Sequence, residues 1–144
     1  MIALLLVPAF FTQVKYPNVK SLTLDGLTVR YSIVKDVPRY LGWGCDEPIK
    51  KPLERFGSVK VTYGKETFPL ATSAYSDLFW MHEVRIRKAK EYVVVWMNGG
   101  DADSGYECEW FFKKGQLLKR RVSSSEFPEN FWEETNYVNI RPNN

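Results

Sequence analysis

The sequence holds a single histidine, His82, and only two cysteines, Cys45 and Cys108. One imidazole excludes a His-rich zinc site and any mechanism that needs several. The chain has no nucleophile motif, no phosphate-cradling glycine loop, no internal repeat and no low-complexity tract. That leaves little for catalysis, and no cofactor is expected. The net charge of +3 makes no strong case for nucleic acid, whose binders usually show a concentrated basic face. The apolar run from Met1 to Phe11 falls short of the roughly 20 residues that a membrane helix needs, so no transmembrane span is expected.

That run has the length of a signal peptide. It lacks a preceding Lys or Arg and a small-x-small cleavage site, both of which an export signal carries. Residues 1–13 therefore read either as an atypical signal peptide or as a first buried strand, ahead of a single β domain over 14–144. A periplasmic or secreted location is the expectation, and a cytoplasmic one the alternative. Two cysteines fit export: a Cys45–Cys108 disulfide would close a long loop and stabilise by about 4 kcal/mol.

What the sequence does hold is a stretch of strands. Residues 79–87, 91–97, 106–113 and 116–122 read as consecutive antiparallel strands. Tyr92, Val94 and Trp96 alternate with Val93, Val95 and Met97, so the second strand is apolar on both faces and expects cover on both. In the first strand, Trp80, His82, Val84 and Ile86 fall on one face. Asp25-Gly26 is a hairpin turn that pairs Leu24 with Leu27 and Leu22 with Val29. Gly64-Lys65 suits a type II′ turn that pairs Val61 with Phe68, and Pro69 marks an edge strand. For the last hairpin, a three-residue loop with Gly115 left-handed pairs Trp110 with Leu118 and sets Glu109 and Glu107 against Lys119 and Arg121. A strict two-residue loop would set Trp110 against Lys119 instead.

Residues 35–56, from Lys35 to Phe56, are rich in Gly and Pro and read as a long loop that Trp43 and Cys45 could tie down, with one helical turn after Pro52. A short helix is expected near Pro128 and a final strand over 137–140. The fold is thus all-β, mostly antiparallel hairpins, in a β-sandwich or partly open barrel.

The candidate site residues are few. Arg85 and Arg87 form one basic corner and Lys119 and Arg121 part of another; on one sheet face they could meet an anionic partner, but edge protection and solubility are the favoured reading. Trp43, between two glycines, is the best candidate for an exposed aromatic platform, as in polysaccharide binding. Asp101 and Asp103 are weak metal candidates, because Ser104 stands where a calcium loop needs a third Asp or Asn, and no metal is expected. Glu107 and Glu109 read as cross-strand ion pairs rather than catalytic carboxylates. His82 lies one strand too far from Cys108 to act as its base and reads as a core or interface residue. The function expected is a non-enzymatic, exported interaction domain whose partner is a protein or an anionic or polysaccharide ligand. The alternative is an enzyme or anion-binding protein with its site under the 35–56 loop.

Overall fold

The computed structural model describes residues 18–138. The apolar run at the N-terminus and the end of the strand expected at 137–140 lie outside the described residues. Among the described residues nine strands form two antiparallel sheets. The first holds β1 (Asn18–Leu24), β2 (Leu27–Asp36), β3 (Leu53–Tyr63) and β4 (Glu66–Pro69) in that order. The second holds β5 (Met81–Ala89), β6 (Tyr92–Gly99), β7 (Tyr106–Lys113), β8 (Gln116–Ser124) and β9 (Phe131–Asn136). The architecture is an open sandwich, not a closed barrel.

Period-2 patterning builds it. In the first sheet Leu27, Val29, Tyr31, Val59 and Val61 point inward; in the second Val93, Val95, Met97, Cys108 and Trp110 do. The Asp25-Gly26 hairpin has the expected register, Leu24 opposite Leu27 and Leu22 opposite Val29. So has the Gly64-Lys65 hairpin, with Val61 opposite Phe68 and β4 at the sheet edge. On β5 a bulge between Met81 and Glu83 re-phases the strand. Met81, not Trp80 or His82, joins Val84 and Ile86 on the core side. His82 is exposed, with Nε2 2.6 Å from the Gly100 carbonyl.

The last hairpin differs from the expected one. Its loop has two residues, Lys114 and Gly115, at φ +49° and +78°, the two positive φ values of a type I′ turn. Lys113 faces Gln116 and Phe112 faces Leu117. A bulge then shifts the ladder, so Phe111 faces Lys119, Trp110 faces Arg120 and Glu109 faces Arg121. Trp110 is therefore not beside Leu118, and Glu107 faces Ser123. The physical reason is a division of labour. The tight turn matches strand twist, and the bulge keeps charged Lys119 and Arg121 off the core face, as a one-residue slip would not.

Two expected helical segments are strand or turn. Leu53, after Pro52, opens β3, where it is buried against Cys45 and Phe79. Near Pro128 the chain makes only a turn, closed by Asn130 N–H to the Phe127 carbonyl at 2.9 Å, and continues as β9. The aromatic and β-branched content of Phe131, Trp132 and Thr135 favours strand, and β8 would otherwise lack a partner. Tyr137 extends the ladder by one bond, N–H to the Leu118 carbonyl at 2.9 Å, without being strand itself.

One segment, 70–80, carries the chain from the first sheet to the second. Three buried donors of the second sheet hold its carbonyls. Trp110 Nε1 donates to Ala74 at 3.0 Å, Tyr106 Oη to Phe79 at 2.9 Å, and Arg120 Nη1 to Ser73 at 2.9 Å.

The hairpin turns give a paired test. Gly64 and Gly115 both have positive φ, but a Cβ on Gly64 meets nothing within 4 Å, whereas one on Gly115 comes within 2.6 Å of Tyr63 Cγ. Alanine at either site strains the backbone by about 1–3 kcal/mol, and at Gly115 overlap adds about 1–3 kcal/mol more. In urea denaturation Gly115→Ala should lose clearly more stability than Gly64→Ala; equal losses would contradict the packing of this turn against Tyr63.

Candidate functional site

Both basic corners lie on the solvent side of the five-stranded sheet. The ladder aligns its side chains in rows across all five strands. One row runs Arg85, Trp96, Glu109, Arg121, Glu134; the next runs Arg87, Val94, Phe111, Lys119, Asn136; a third runs Glu83, Asn98, Glu107, Ser123, Phe131. Arg85 Cζ stands 5.6 Å from the Trp96 ring centroid. Lys119 Nζ stands 4.7 Å and Arg121 Cζ 5.2 Å from that of Phe111. Arg121 also lies 4.4 Å from the Phe131 ring. Long cationic stems thus roof the apolar side chains, and Val94 and Phe111 are buried although they face outward. This is the cover that the doubly apolar strand β6 demanded.

The three arginines on this face already hold carboxylates. Arg85 bonds Glu83 at 2.6 Å, Arg87 bonds Glu109, and Arg121 bonds Glu134 at 2.7 Å. The hydrogen bond from Arg121 holds the Glu134 carboxyl below the usual carboxylate range. Arg85, Arg87, Lys119 and Arg121 are therefore brought together, in a lattice of mixed charge rather than a bare cationic patch.

Trp43, the fifth candidate, lies elsewhere. Its main chain bridges the crossing segment, N–H to Asp77 O at 2.8 Å and O from Phe79 N–H at 2.9 Å. Its indole stacks on Trp132, centroids 5.4 Å apart and planes 12° apart, and Nε1 donates to Glu133 at 3.3 Å. Beneath it lies Arg120, whose side chain is 2% exposed. Its guanidinium grips Asp77 with two bonds of 2.6 Å and donates to Glu133 Oε2 at 3.1 Å. Its Nε lies 2.9 Å from Glu133 Oε1 as an ion contact without hydrogen-bond alignment. Burial disfavours the Arg120 charge, but the bonds to Asp77 and the surrounding negative groups outweigh it and hold its pKa above the ordinary value. Arg120, Asp77, Glu133 and Trp132 were not among the expected site residues. The available signal was Arg120 itself, an arginine on the strand face that also carries Val122.

The remaining candidates are separate. Cys45 and Cys108 are both buried free thiols, not a disulfide. Cys45 packs with Leu53 and Phe79 in a small cluster of its own, Cys108 in the main core. What anchors the loop is Trp43, so the bridge is not needed, and the expectation of export loses one support. Asp101 and Asp103 are exposed on a short 3-10 turn, 102–104, where the Ser104 hydroxyl bonds the Asp101 main chain at 2.8 and 3.2 Å. Among the described residues no three His, Cys, Asp or Glu side chains converge. The loop expected over 35–56 is shorter, 37–52, because Lys35 and Asp36 belong to β2 and residues 53–56 to β3; at its start lies a cleft of about 330 Å³ lined by Asp36, Pro38, Arg39, Tyr40, Arg55 and Phe79. Asp36 clamps Arg55 there with bonds of 2.8 and 2.6 Å. A wider groove, about 680 Å³, lies between the β3–β4 and β7–β8 turns, among Lys65, Lys113 and Lys114.

Two outcomes follow. Arg120→Met strands two carboxylates and should cost about 3 kcal/mol, the low end for a broken buried pair, because Asp77 and Glu133 keep 36% and 28% of their side-chain surface exposed. Adding Asp77→Asn should recover part of that loss in denaturant melts, and a loss below about 1 kcal/mol would contradict the network's role. Burial raises the pKa of both thiols, so the reactive thiolate is suppressed in the folded chain. Iodoacetamide at pH 8 should label neither cysteine in the native protein and both after unfolding without reductant; labelling that requires a reductant would reveal a disulfide.

Compared with protein-family models, curated proteins and solved structures, the chain shows no match.

Proposed function

We propose that this chain is a non-enzymatic interaction domain that engages a protein partner through the solvent face of its five-stranded sheet. The observation that supports this reading is the composition of that face. Trp96, Tyr92, Phe111 and Phe131 lie among Arg85, Arg87, Lys119 and Arg121, and aromatic residues and arginine are the types enriched at protein interfaces. A small anion is the poorer fit, since the three arginines already hold carboxylates; a protein surface of mixed charge exchanges those pairs without stranding either sign. The reading with a site under the 35–56 loop has less support, because Arg55 is consumed by Asp36.

The test is site-specific photocrosslinking in the source cell. A benzoylphenylalanine at Arg87 or Lys119 should yield a discrete adduct, absent when the probe replaces Arg30 or Lys60 on the outer face of the other sheet. Lys119→Glu with Arg121→Glu should abolish it. Equal labelling from both sheets, or none, would overturn the proposal.

A further inference from the structure

We infer that β9 is a docking edge: an extended segment of a partner protein adds to the five-stranded sheet as a sixth strand, with an apolar residue opposite Phe131 and a lysine or arginine opposite Glu134. The inference rests on the interaction-domain reading and names the partner's form.

Exposed strand edges are templates for pairing, and proteins usually blunt them. Three of the four edges here are blunted. β4 has four residues and ends in Pro69. β5 carries Arg85, Arg87 and Lys88 and a bulge at Met81/Glu83. β1 packs beside β5, and Lys88 bonds Asp25 in its turn at 2.9 Å. β9, by contrast, contains no Pro, Lys or Arg, and its own bulge is confined to its first residues, 131–133, leaving 133–136 regular.

The register shows what this edge offers. Tyr137 N–H bonds the Leu118 carbonyl, and Thr135 and Glu133 face Arg120 and Val122 in the same phase. Odd residues from 133 to 137 therefore turn their peptide groups toward β8. Glu134 and Asn136 turn theirs outward, each with a donor and an acceptor for a new strand. Phe131 and Trp132, 49% and 45% exposed, flank these groups and supply the apolar area that main-chain bonds alone lack.

Charge selects the occupant. The row Arg85, Trp96, Glu109, Arg121, Glu134 alternates in sign across its last three strands. Glu134 meets Arg121 through Oε2, which leaves Oε1 for a second cation on the edge side. A second copy of β9 has no cation to place there, because Phe131–Asn136 contains none. The extra residue Trp132 in the bulge brings Phe131 and Glu134, three residues apart, to the spacing of Ser123 and Arg121, so a partner strand with an apolar residue and a basic residue two positions apart on one face satisfies both rows.

The probe is a fluorescein-labelled peptide of alternating Thr and Ile with one central Lys replacing an Ile, followed by anisotropy against the full chain, beside the same peptide carrying Glu for Lys. The Lys peptide should bind at least tenfold tighter than the Glu peptide, and Glu134→Lys should reverse the order. Asn136→Pro removes one outward donor and no bond to β8, and should weaken the Lys peptide at least tenfold. If that variant does not fold, N-methylation of the peptide on the residues facing β9 should do the same to the native protein. Arg30→Ala, on the outer face of the other sheet, should leave peptide binding unchanged. No binding, equal binding of the two peptides, or self-association of the full chain in ultracentrifugation that Asn136→Pro abolishes would each overturn strand addition. A face-specific crosslinked adduct persisting in that event leaves the interaction-domain reading standing without it.

Discussion

The sandwich depends on one guanidinium. A crossing segment between two sheets must bury main-chain carbonyls and at least one polar side chain, and each needs a donor. Arg120 supplies several at once, with planar geometry suited to Asp77 on one side and Glu133 on the other. Through Asp77 it reaches the crossing segment; through Glu133 it reaches β9 and the Trp43 indole. An arginine this deeply buried is tolerable only because every charge it meets is opposite and close. Trp110 and Tyr106 complete the arrangement with neutral donors to neighbouring carbonyls.

Much of the fold was legible because alternation and turn chemistry agree in this chain. The hairpins at Asp25-Gly26 and Gly64-Lys65 have the registers their residues dictate. At Lys114-Gly115 the register differs from the expected one but the facing does not: the two ladders differ by two residues, so Trp110 and Cys108 stay inward and Lys119 and Arg121 outward. A bulge is hard to foresee because it leaves no residue signature of its own; Leu118 looks like any strand leucine. β9 was hidden for another reason. Pro128 and the paired glutamates 133 and 134 imitate a helix start, and only the demand of β8 for a partner overrides that local preference.

The candidate face was legible in part. Arg85, Arg87, Lys119 and Arg121 follow from alternation on three strands, whereas their engagement by Glu83, Glu109 and Glu134 depends on the ladder's exact phase. Parity alone puts Arg120 beside Val122 on the core side of its strand. Its partners were not in view: Asp77 comes from the crossing segment and Glu133 from the unforeseen strand, and no periodicity links the three. Long-range polar networks are where reading by pattern ends, because their members share a point in space and nothing in sequence.

The order of the strands has a kinetic consequence. Each sheet is a simple meander, so 18–69 and 81–136 each make their ladders from neighbours in sequence. Apart from the 37–52 loop between β2 and β3, closing these connections costs little entropy, and low sequence separation of contacts favours fast folding. The contacts of Arg120 with Asp77 and of Trp110 with Ala74 join strands of the second sheet to the crossing segment, across more chain than any hairpin turn spans, and are expected to form after the hairpins. Interactions made after the barrier leave the folding rate nearly unchanged and act on the rate of opening. In this molecule the buried guanidinium is therefore expected to govern how long the sandwich stays shut, while the hairpin turns govern how quickly it is made.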